Sequence, residues 1–195
     1  MMNRSRALAF FLPPLVLFSA IAVYHLQAIP SPDPVYKAIR AAGMMAYPAS
    51  FLAIVTSAFP KEATSLSGES FLRVHHIFAF WGLTLMLVHT GAIWASFGTP
   101  AVLVPQSGTL REFFLFGGRV ALPLFILTAA TAKFGRTIKF WRKIHLLNYA
   151  AFILVTIHAV MIGTDFDSSP MRAMAYTFAA VVMAVPIIRF FRKRL

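Results

Sequence analysis

Long apolar runs separated by short polar connectors dominate the pattern of the chain. A helix needs about 20 apolar residues to cross a bilayer core. Six runs approach or exceed that length: residues 7–29, 35–59, 72–97, 113–131, 141–163 and 173–190. The connectors carry helix breakers, as in the proline-rich segment 30–34. The sequence lacks the alternating apolar and polar strands of a barrel. The pattern predicts an all-α integral membrane protein, a bundle of six transmembrane helices forming one domain over residues 1–195.

Composition supports a membrane protein and excludes several soluble classes. The chain is 59% hydrophobic and 12% charged, about half the roughly 25% of charged residues typical of soluble domains. A net charge of +12 suggests nucleic acid only when a basic face lies on a soluble body. Here the charges lie between apolar runs. We therefore expect membrane lipid as a partner and no nucleic acid.

The distribution of lysine and arginine predicts the orientation of the spans, since cytoplasmic loops are enriched in both. Five of the 18 basic residues fall on one side of the predicted membrane: Lys37, Arg40, Arg111, Arg119 and Arg172. The other 13 fall on the opposite side: Arg4, Arg6, Lys61, Arg73, Lys133, Arg136, Lys139, Arg142, Lys143, Arg189, Arg192, Lys193 and Arg194. The richer side is predicted to be cytoplasmic. Both termini then lie in the cytoplasm, and the chain is a multi-pass protein of the inner (plasma) membrane.

The first apolar run has two interpretations. Arg4 and Arg6 followed by apolar residues also fit a signal peptide. The run is long for such a segment, and Pro13 and Pro14 interrupt it. We therefore expect a retained first helix.

Candidate chemistry is concentrated in the histidines. With no cysteine in the chain, disulfides, Cys-ligated iron–sulfur clusters and covalently attached c-type haem are excluded. None of the six acidic residues falls deep in a span, which disfavours a proton relay. All six histidines lie in apolar segments or at their ends: His25, His75, His76, His89, His145 and His158. Ionisable residues inside a span are usually functional, so neutral imidazoles bound to a metal or cofactor are favoured. His25 is expected to be interfacial.

The depths of four histidines form two matched levels. The third and fifth spans both begin at the cytoplasmic side, near His75 and His145. His89 lies about 21 Å farther along the third span, and His158 about 19.5 Å farther along the fifth. Pairing His75 with His145 and His89 with His158 would place two axial nitrogens at each of two haem irons. A single pair would hold one haem.

Helical phase separates the neighbouring His75 and His76. The interval from His75 to His89 spans almost four full turns, so these two residues share one helix face. The interval from His76 to His89 is one residue shorter, which places His76 about 140° away from that face. His75 is therefore favoured as the ligand, and His76 is the alternative. His145 and His158 are separated by this same shorter interval. Either the fifth helix is overwound or its two histidines point to different sides.

The two histidine segments resemble those of a known family. The segment from His75 to His89 looks like the His-x13-His helix of ferric reductases and NADPH oxidases, and that from His145 to His158 like their His-x12-His helix. The likeness covers about residues 32–165 and is greatest to a small bacterial branch, the haem subunit of a periplasmic methionine sulfoxide reductase system (MsrQ/YedZ). That branch often has Arg where this chain has His75 and His76. The difference favours two haems and argues against methionine sulfoxide repair.

The resemblance implies a ferric reductase-like transmembrane haem protein that transfers electrons. It would hold b-type haem, two or at least one, with His75, His89, His145 and His158 as iron ligands. Electrons would come from a separate flavoprotein, a bound flavin such as FMN, or a quinol. They would reach an extracytoplasmic acceptor or redox partner. The chain would then be an electron-transfer subunit of an oxidoreductase rather than a complete enzyme.

A basic segment and two rival functions complete the expectations. Residues 133–143 are rich in lysine and arginine, which is the positive-inside signal. Arg136 and Arg142 in this segment could also contact a flavin phosphate or haem propionates. The first rival function is a haem-free structural or assembly subunit of a membrane complex. The second is a histidine-lined metal or proton transporter.

Overall fold

A computed structural model of the chain describes residues 14, 16, 19–21, 23, 24, 26–28, 30, 31, 33–105, 108–135 and 137–192. These residues form helices and short turns, with no strand among them. Within this described part, four helices are long and apolar enough to cross a membrane: Pro34–Ala58, Phe71–Phe97, Trp141–Ile162 and Ser169–Arg189. The expected all-α membrane class is thus confirmed at this level.

The other two predicted spans have different outcomes. The first, 7–29, falls largely outside the described residues, and those described between 14 and 28 are helical. The predicted span 113–131 is divided between two helices, Leu110–Leu115 and Gly117–Lys133. The longer one has 17 residues and rises about 26 Å, less than the roughly 30 Å of a bilayer core. His25 and Arg136 lie outside the described residues.

The chain divides into two compact units, Met1–Gly98 and Thr99–Leu195. In the first unit we number the helices α1 (Pro34–Ala58), α2 (Pro60–Ser67) and α3 (Phe71–Phe97). Asp33 caps the start of α1 by accepting a hydrogen bond from the Val35 amide at 2.8 Å. Gly98 ends α3 with a φ of 65°, a left-handed conformation that glycine adopts without a steric penalty.

Small residues bring α1 and α3 together. The buried positions of α1 include Ala42, Ala46, Ala49 and Ala53. A Cβ added to Gly82 of α3 would lie 2.9 Å from the Ser50 hydroxyl oxygen of α1. Close backbone approach through small residues is the usual way in which membrane helices pack. Many of the other side chains of α3 are apolar and exposed, among them Phe80, Trp81 and Leu87, as expected of a helix that contacts lipid.

The second unit contains α4 (Leu110–Leu115), α5 (Gly117–Lys133), α6 (Trp141–His145), α7 (Leu147–Ile162) and α8 (Ser169–Arg192). Short 3₁₀ helices occupy Pro100–Leu103 and Thr164–Asp167. Helix α7 packs against α5 and α8, with Ala121, Ala151 and Phe152 fully buried. Thus α3 carries His75, His76 and His89, while α6 and α7 carry His145 and His158.

Candidate functional site

Four of the histidines make the same contact with a neighbouring helix. In each, Nδ1 lies within hydrogen-bond distance of a backbone carbonyl oxygen. The distances are 2.8 Å from His75 to Ala53, 2.9 Å from His89 to Ile39, 3.2 Å from His145 to Thr128 and 2.8 Å from His158 to Leu115. All four rings are partly buried.

These contacts determine where the proton lies on each ring. A carbonyl oxygen can only accept a hydrogen bond, so Nδ1 must carry the hydrogen. In the neutral ring the lone pair is then on Nε2, the nitrogen that can bind a metal. Metal-binding histidines commonly donate their other ring N–H to a backbone carbonyl, which orients the ring and raises its basicity. The donor set therefore suits iron ligation by four Nε2 atoms.

In the first unit the acceptor spacing matches the histidine spacing. The interval from Ile39 to Ala53 on α1 equals the interval from His75 to His89 on α3. Because both helices are continuous, this equal spacing keeps both histidines on the face of α3 that packs against α1. This placement agrees with the expectation that His75 and His89 lie on one face of their helix.

His76 lies differently from its neighbour. Its side chain is exposed, and its ring centroid is 5.7 Å from that of His75. The hydrogen bond to the Ala53 carbonyl comes from His75. His75 therefore has the backbone contact that the other three histidines share, and His76 points elsewhere.

In the second unit the two carbonyl acceptors, Leu115 and Thr128, are again spaced like the two histidines. Their spacing is one residue shorter than in the first unit. A helix break accompanies the shorter spacing in each of the two segments. Helix α6 ends at His145, and α7 begins at Leu147. Around the break, the Leu146 amide donates to Lys143 and the Tyr149 amide to Leu146, at 3.2 and 3.1 Å. Hydrogen bonds that close over so few residues wind the chain more tightly than an α-helix. The overwound alternative for the fifth span is thus the one observed, and both rings reach backbone of the α4–α5 segment.

The break between α4 and α5 accompanies the His158 contact. In a continuous α-helix the Arg119 amide would donate to the Leu115 carbonyl. Instead it donates to Phe116 at 2.9 Å, since the chain turns tightly there. The Leu115 carbonyl accepts from His158 at 2.8 Å. The break thus releases a backbone acceptor where the histidine needs one.

Two glycines form seats for the rings of His89 and His158. A Cβ added to Gly43 would lie 3.0 Å from His89 Nδ1 and 3.2 Å from its Cε1. A Cβ added to Gly118 would lie 3.0 Å from His158 Nε2, 3.1 Å from Cδ2 and 3.3 Å from Cε1. An atom lying along the Nε2 lone pair would be much farther from both ring carbons than from Nε2. The near-equal distances therefore place Gly118 over the ring face and leave the lone-pair direction clear of it.

The seats belong to a repeat that the sequence analysis missed. Gly43, Pro48 and Ala53 follow one another at equal intervals, and Gly118, Pro123 and Thr128 do so at the same interval. In both series the glycine contacts a histidine ring and the last residue supplies the carbonyl to another. Segments 43–53 and 118–128 share glycine, alanine, proline and leucine at matching positions. Aligning the chain with itself would have found this signal.

A polar side chain, Asn148, lies beside the ring of His145. The Asn148 amide nitrogen is 3.4 Å from both ring nitrogens of His145. The Thr128 hydroxyl donates to Asn148 Oδ1, and the Thr128 carbonyl receives His145. Asn148 therefore braces the His145 ring against α5. Because Nδ1 carries its own hydrogen, the amide can donate only to Nε2, the nitrogen that a metal would also use. Sequence reasoning also missed this role, because a single asparagine near a helix end is not informative.

The remaining predicted site residue is Arg142. Its side chain is exposed, and its guanidinium carbon lies 5.5 Å from the centre of the Trp141 ring. The Trp141 ring is itself 6.2 Å from that of His145. Arg142 thus contacts Trp141, which in turn contacts the candidate ligand His145.

Within the described part of the chain, no three His, Asp or Glu side chains cluster as a bare metal ion would require. Haem iron requires fewer ligands from the protein, since the macrocycle supplies four nitrogens and the chain supplies only the axial ligands. Imidazoles oriented in this way are among the axial ligands that haem iron takes in proteins.

Fold and site together define a helical membrane protein in which backbone carbonyls of adjacent helices hold four histidines. Residues 35–165 match the model of a family described as a domain of unknown function (DUF8596), and the chain belongs to that family. Comparison with curated proteins and with solved structures returned no match. The matched range contains all four histidines and both glycine seats.

Proposed function

We propose that this chain is a b-type haem protein that carries electrons across the inner membrane. It would hold two haems, with His75 and His145 as ligands nearer the cytoplasm and His89 and His158 as the outer ligands. It would form six spans with both termini in the cytoplasm. A flavoprotein, a bound flavin such as FMN, or a quinol would donate electrons, and an extracytoplasmic partner would accept them.

One observation carries the proposal: the same Nδ1-to-carbonyl contact occurs at four histidines, two in each unit. A single packed histidine in a membrane helix needs no ligand to explain it. Four rings held in one tautomer, two of them on glycine seats, form a consistent donor set. The resemblance to ferric reductases rests on the same four residues.

The chain's own residues would orient the ligands and exclude water. The carbonyls of Ile39, Ala53, Leu115 and Thr128 hold Nδ1–H and keep each ring from rotating. Apolar helix faces lower the local dielectric, which tunes the potential of a buried redox centre. A bound haem iron supplies the one-electron chemistry.

The test is a reduced-minus-oxidised absorption spectrum of the purified protein, with haem counted per chain. Bands of b-type haem at two per chain are expected. His89→Ala and His158→Ala should each remove one haem, whereas His76→Ala, the matched control on the same helix as His89, should remove none. Loss of haem in His76→Ala with retention in His75→Ala would show that His76, and not His75, is the ligand.

Two results would overturn the proposal. A colourless wild-type protein that folds normally and is unaffected by the histidine substitutions would indicate a structural or assembly subunit. Histidine-dependent metal or proton flux in vesicles, without haem bands, would indicate a transporter.

A further inference from the structure

The connector between α5 and α6 concentrates positive charge that no described acidic side chain balances. We call residues 133–143 the basic hairpin. Its described cations are Lys133, Lys139, Arg142 and Lys143, all of them exposed. Two ion pairs among the described residues, Arg73–Glu69 and Arg172–Asp167, lie elsewhere. The sequence contains no Asp or Glu between Glu112 and Asp165. An anion from outside the chain would therefore meet uncompensated charge here.

Aromatic rings lie between these cations. The ammonium groups of Lys139 and Lys143 lie 5.7 and 5.4 Å from the centre of the same Phe140 ring. Lys133 lies 5.9 Å from the Phe134 ring. Phe134 and Phe140 are 57% and 55% exposed. A surface that combines exposed phenyl rings with cations suits the boundary between lipid head groups and acyl chains.

The hairpin is preorganised by its own hydrogen bonds. The Thr137 amide and hydroxyl both donate to the Phe134 carbonyl, at 2.9 and 2.7 Å. Gly135 lies directly against the Trp141 indole, where a Cβ would come within 3.0 Å of the ring. The described cations are thus displayed on a folded turn rather than on a loose loop.

We propose that the basic hairpin binds the head groups of anionic phospholipids, with Phe134 and Phe140 at the acyl boundary. The exposed rings favour a lipid, because one anionic lipid offers a head group to the cations and acyl chains to the rings beside them. This inference is independent of haem.

The other connector predicted on the cytoplasmic side, residues 60–70, provides a matched control together with Arg73 in the first turn of α3. There Arg73 pairs with Glu69 at 3.1 Å, and Lys61 is followed by Glu62. Lys61→Gln/Arg73→Gln therefore removes two positive charges from a balanced connector. Lys139→Gln/Lys143→Gln removes two from the basic hairpin. Lys139→Arg/Lys143→Arg keeps the charge at the same positions.

The experiment is a titration of the purified full chain, in detergent, with phosphatidylglycerol or with phosphatidylcholine of the same acyl chains. Native mass spectrometry counts the bound lipid. The wild type, the arginine variant and the connector control should prefer phosphatidylglycerol, and the glutamine hairpin variant should lose about tenfold or more in affinity for it. Phe134→Ser/Phe140→Ser should weaken phosphatidylglycerol binding without changing binding of inorganic phosphate.

Two outcomes would overturn the inference. One is an equal affinity of the wild type for the two lipids. The other is hairpin-dependent binding of polyglutamate together with no preference for phosphatidylglycerol, which would indicate an acidic protein face instead. Unfolding midpoints of all variants, measured in the same detergent, report whether each remains folded.

Discussion

The two units hold their histidines on the same kind of backbone contact but build it from different helices. In the first unit α1 and α3 are continuous, and the spacing of His75 and His89 matches the helical repeat. In the second unit the spacing is one position shorter, and breaks at Phe116 and Leu146 accompany it. A histidine spacing that does not fit a straight helix therefore points to a local break, and the break between α4 and α5 releases a carbonyl that His158 uses.

The largest expected effect comes from changing the register in the second unit. An alanine inserted between Leu146 and Leu147 rotates His145 by about 100° relative to His158. Because the acceptors Leu115 and Thr128 keep their own spacing, one of the two ring contacts must break. We expect the insertion to remove one haem per chain, measured by haem content of the purified protein.

The control for that insertion is an alanine placed between Gly98 and Thr99, outside the helices. It should leave haem content unchanged. Full haem content after the Leu146 insertion would show that the tight turn does not set the register of His145. The break in the second unit would then have no role in placing its histidines.

The next largest effect concerns the glycine seats. Gly43→Ala and Gly118→Ala place a methyl group 3.0 Å from the nearest atom of a histidine ring, so overpacking should cost about 1–3 kcal/mol of unfolding free energy. Gly91 on α3 has no atom within 4 Å of an added Cβ. Gly91→Ala should therefore be neutral or stabilise by up to about 1 kcal/mol, the gain in helix propensity.

Thermal unfolding of these three variants is measured in one detergent, and the sign of each change in unfolding temperature tests whether the seats hold the rings. The seats predict a loss at positions 43 and 118 and none at 91. Equal effects at all three positions would mean that the histidine rings move aside freely, and the seats would then have no role in holding them.

A smaller effect is expected from Asn148, the polar side chain beside His145 in the second unit. Asn148→Ala removes the brace on His145, but the Thr128 hydroxyl can then donate to the Phe125 carbonyl, 2.9 Å away, instead of to Asn148. Because that hydroxyl keeps an acceptor, the cost should be about 1 kcal/mol. A double-mutant cycle with Thr128→Val should give a coupling of about 0.5–1.5 kcal/mol. A coupling of zero would mean that the Thr128 hydroxyl does not help to hold Asn148, while the contact of His145 with the Thr128 carbonyl is unaffected.

Apolar length and helical rise are local properties, so the sequence was enough to predict the four described helices that are long and apolar enough to cross a membrane, and the shared face of His75 and His89. It left two alternatives for His145 and His158, because the tight turn at Leu146 contains no proline or glycine to signal it. The carbonyl acceptors and the seats at Gly43 and Gly118 depend on packing between helices, which no single-helix pattern contains.

The smallest effect is expected at the ion pair that balances the connector of the first unit. The side chains of Arg73 and Glu69 are 59% and 12% exposed; because the guanidinium remains in contact with solvent, the pair should contribute about 1 kcal/mol or less. Glu69→Gln should therefore lower the unfolding free energy by no more than that amount, and by still less in high salt, because ions screen exposed charges. A loss well beyond the range of exposed pairs, measured by denaturant unfolding at low and at high salt, would mean that the balanced connector helps to hold α3. The difference between the two connectors would then be one of stability as well as of charge.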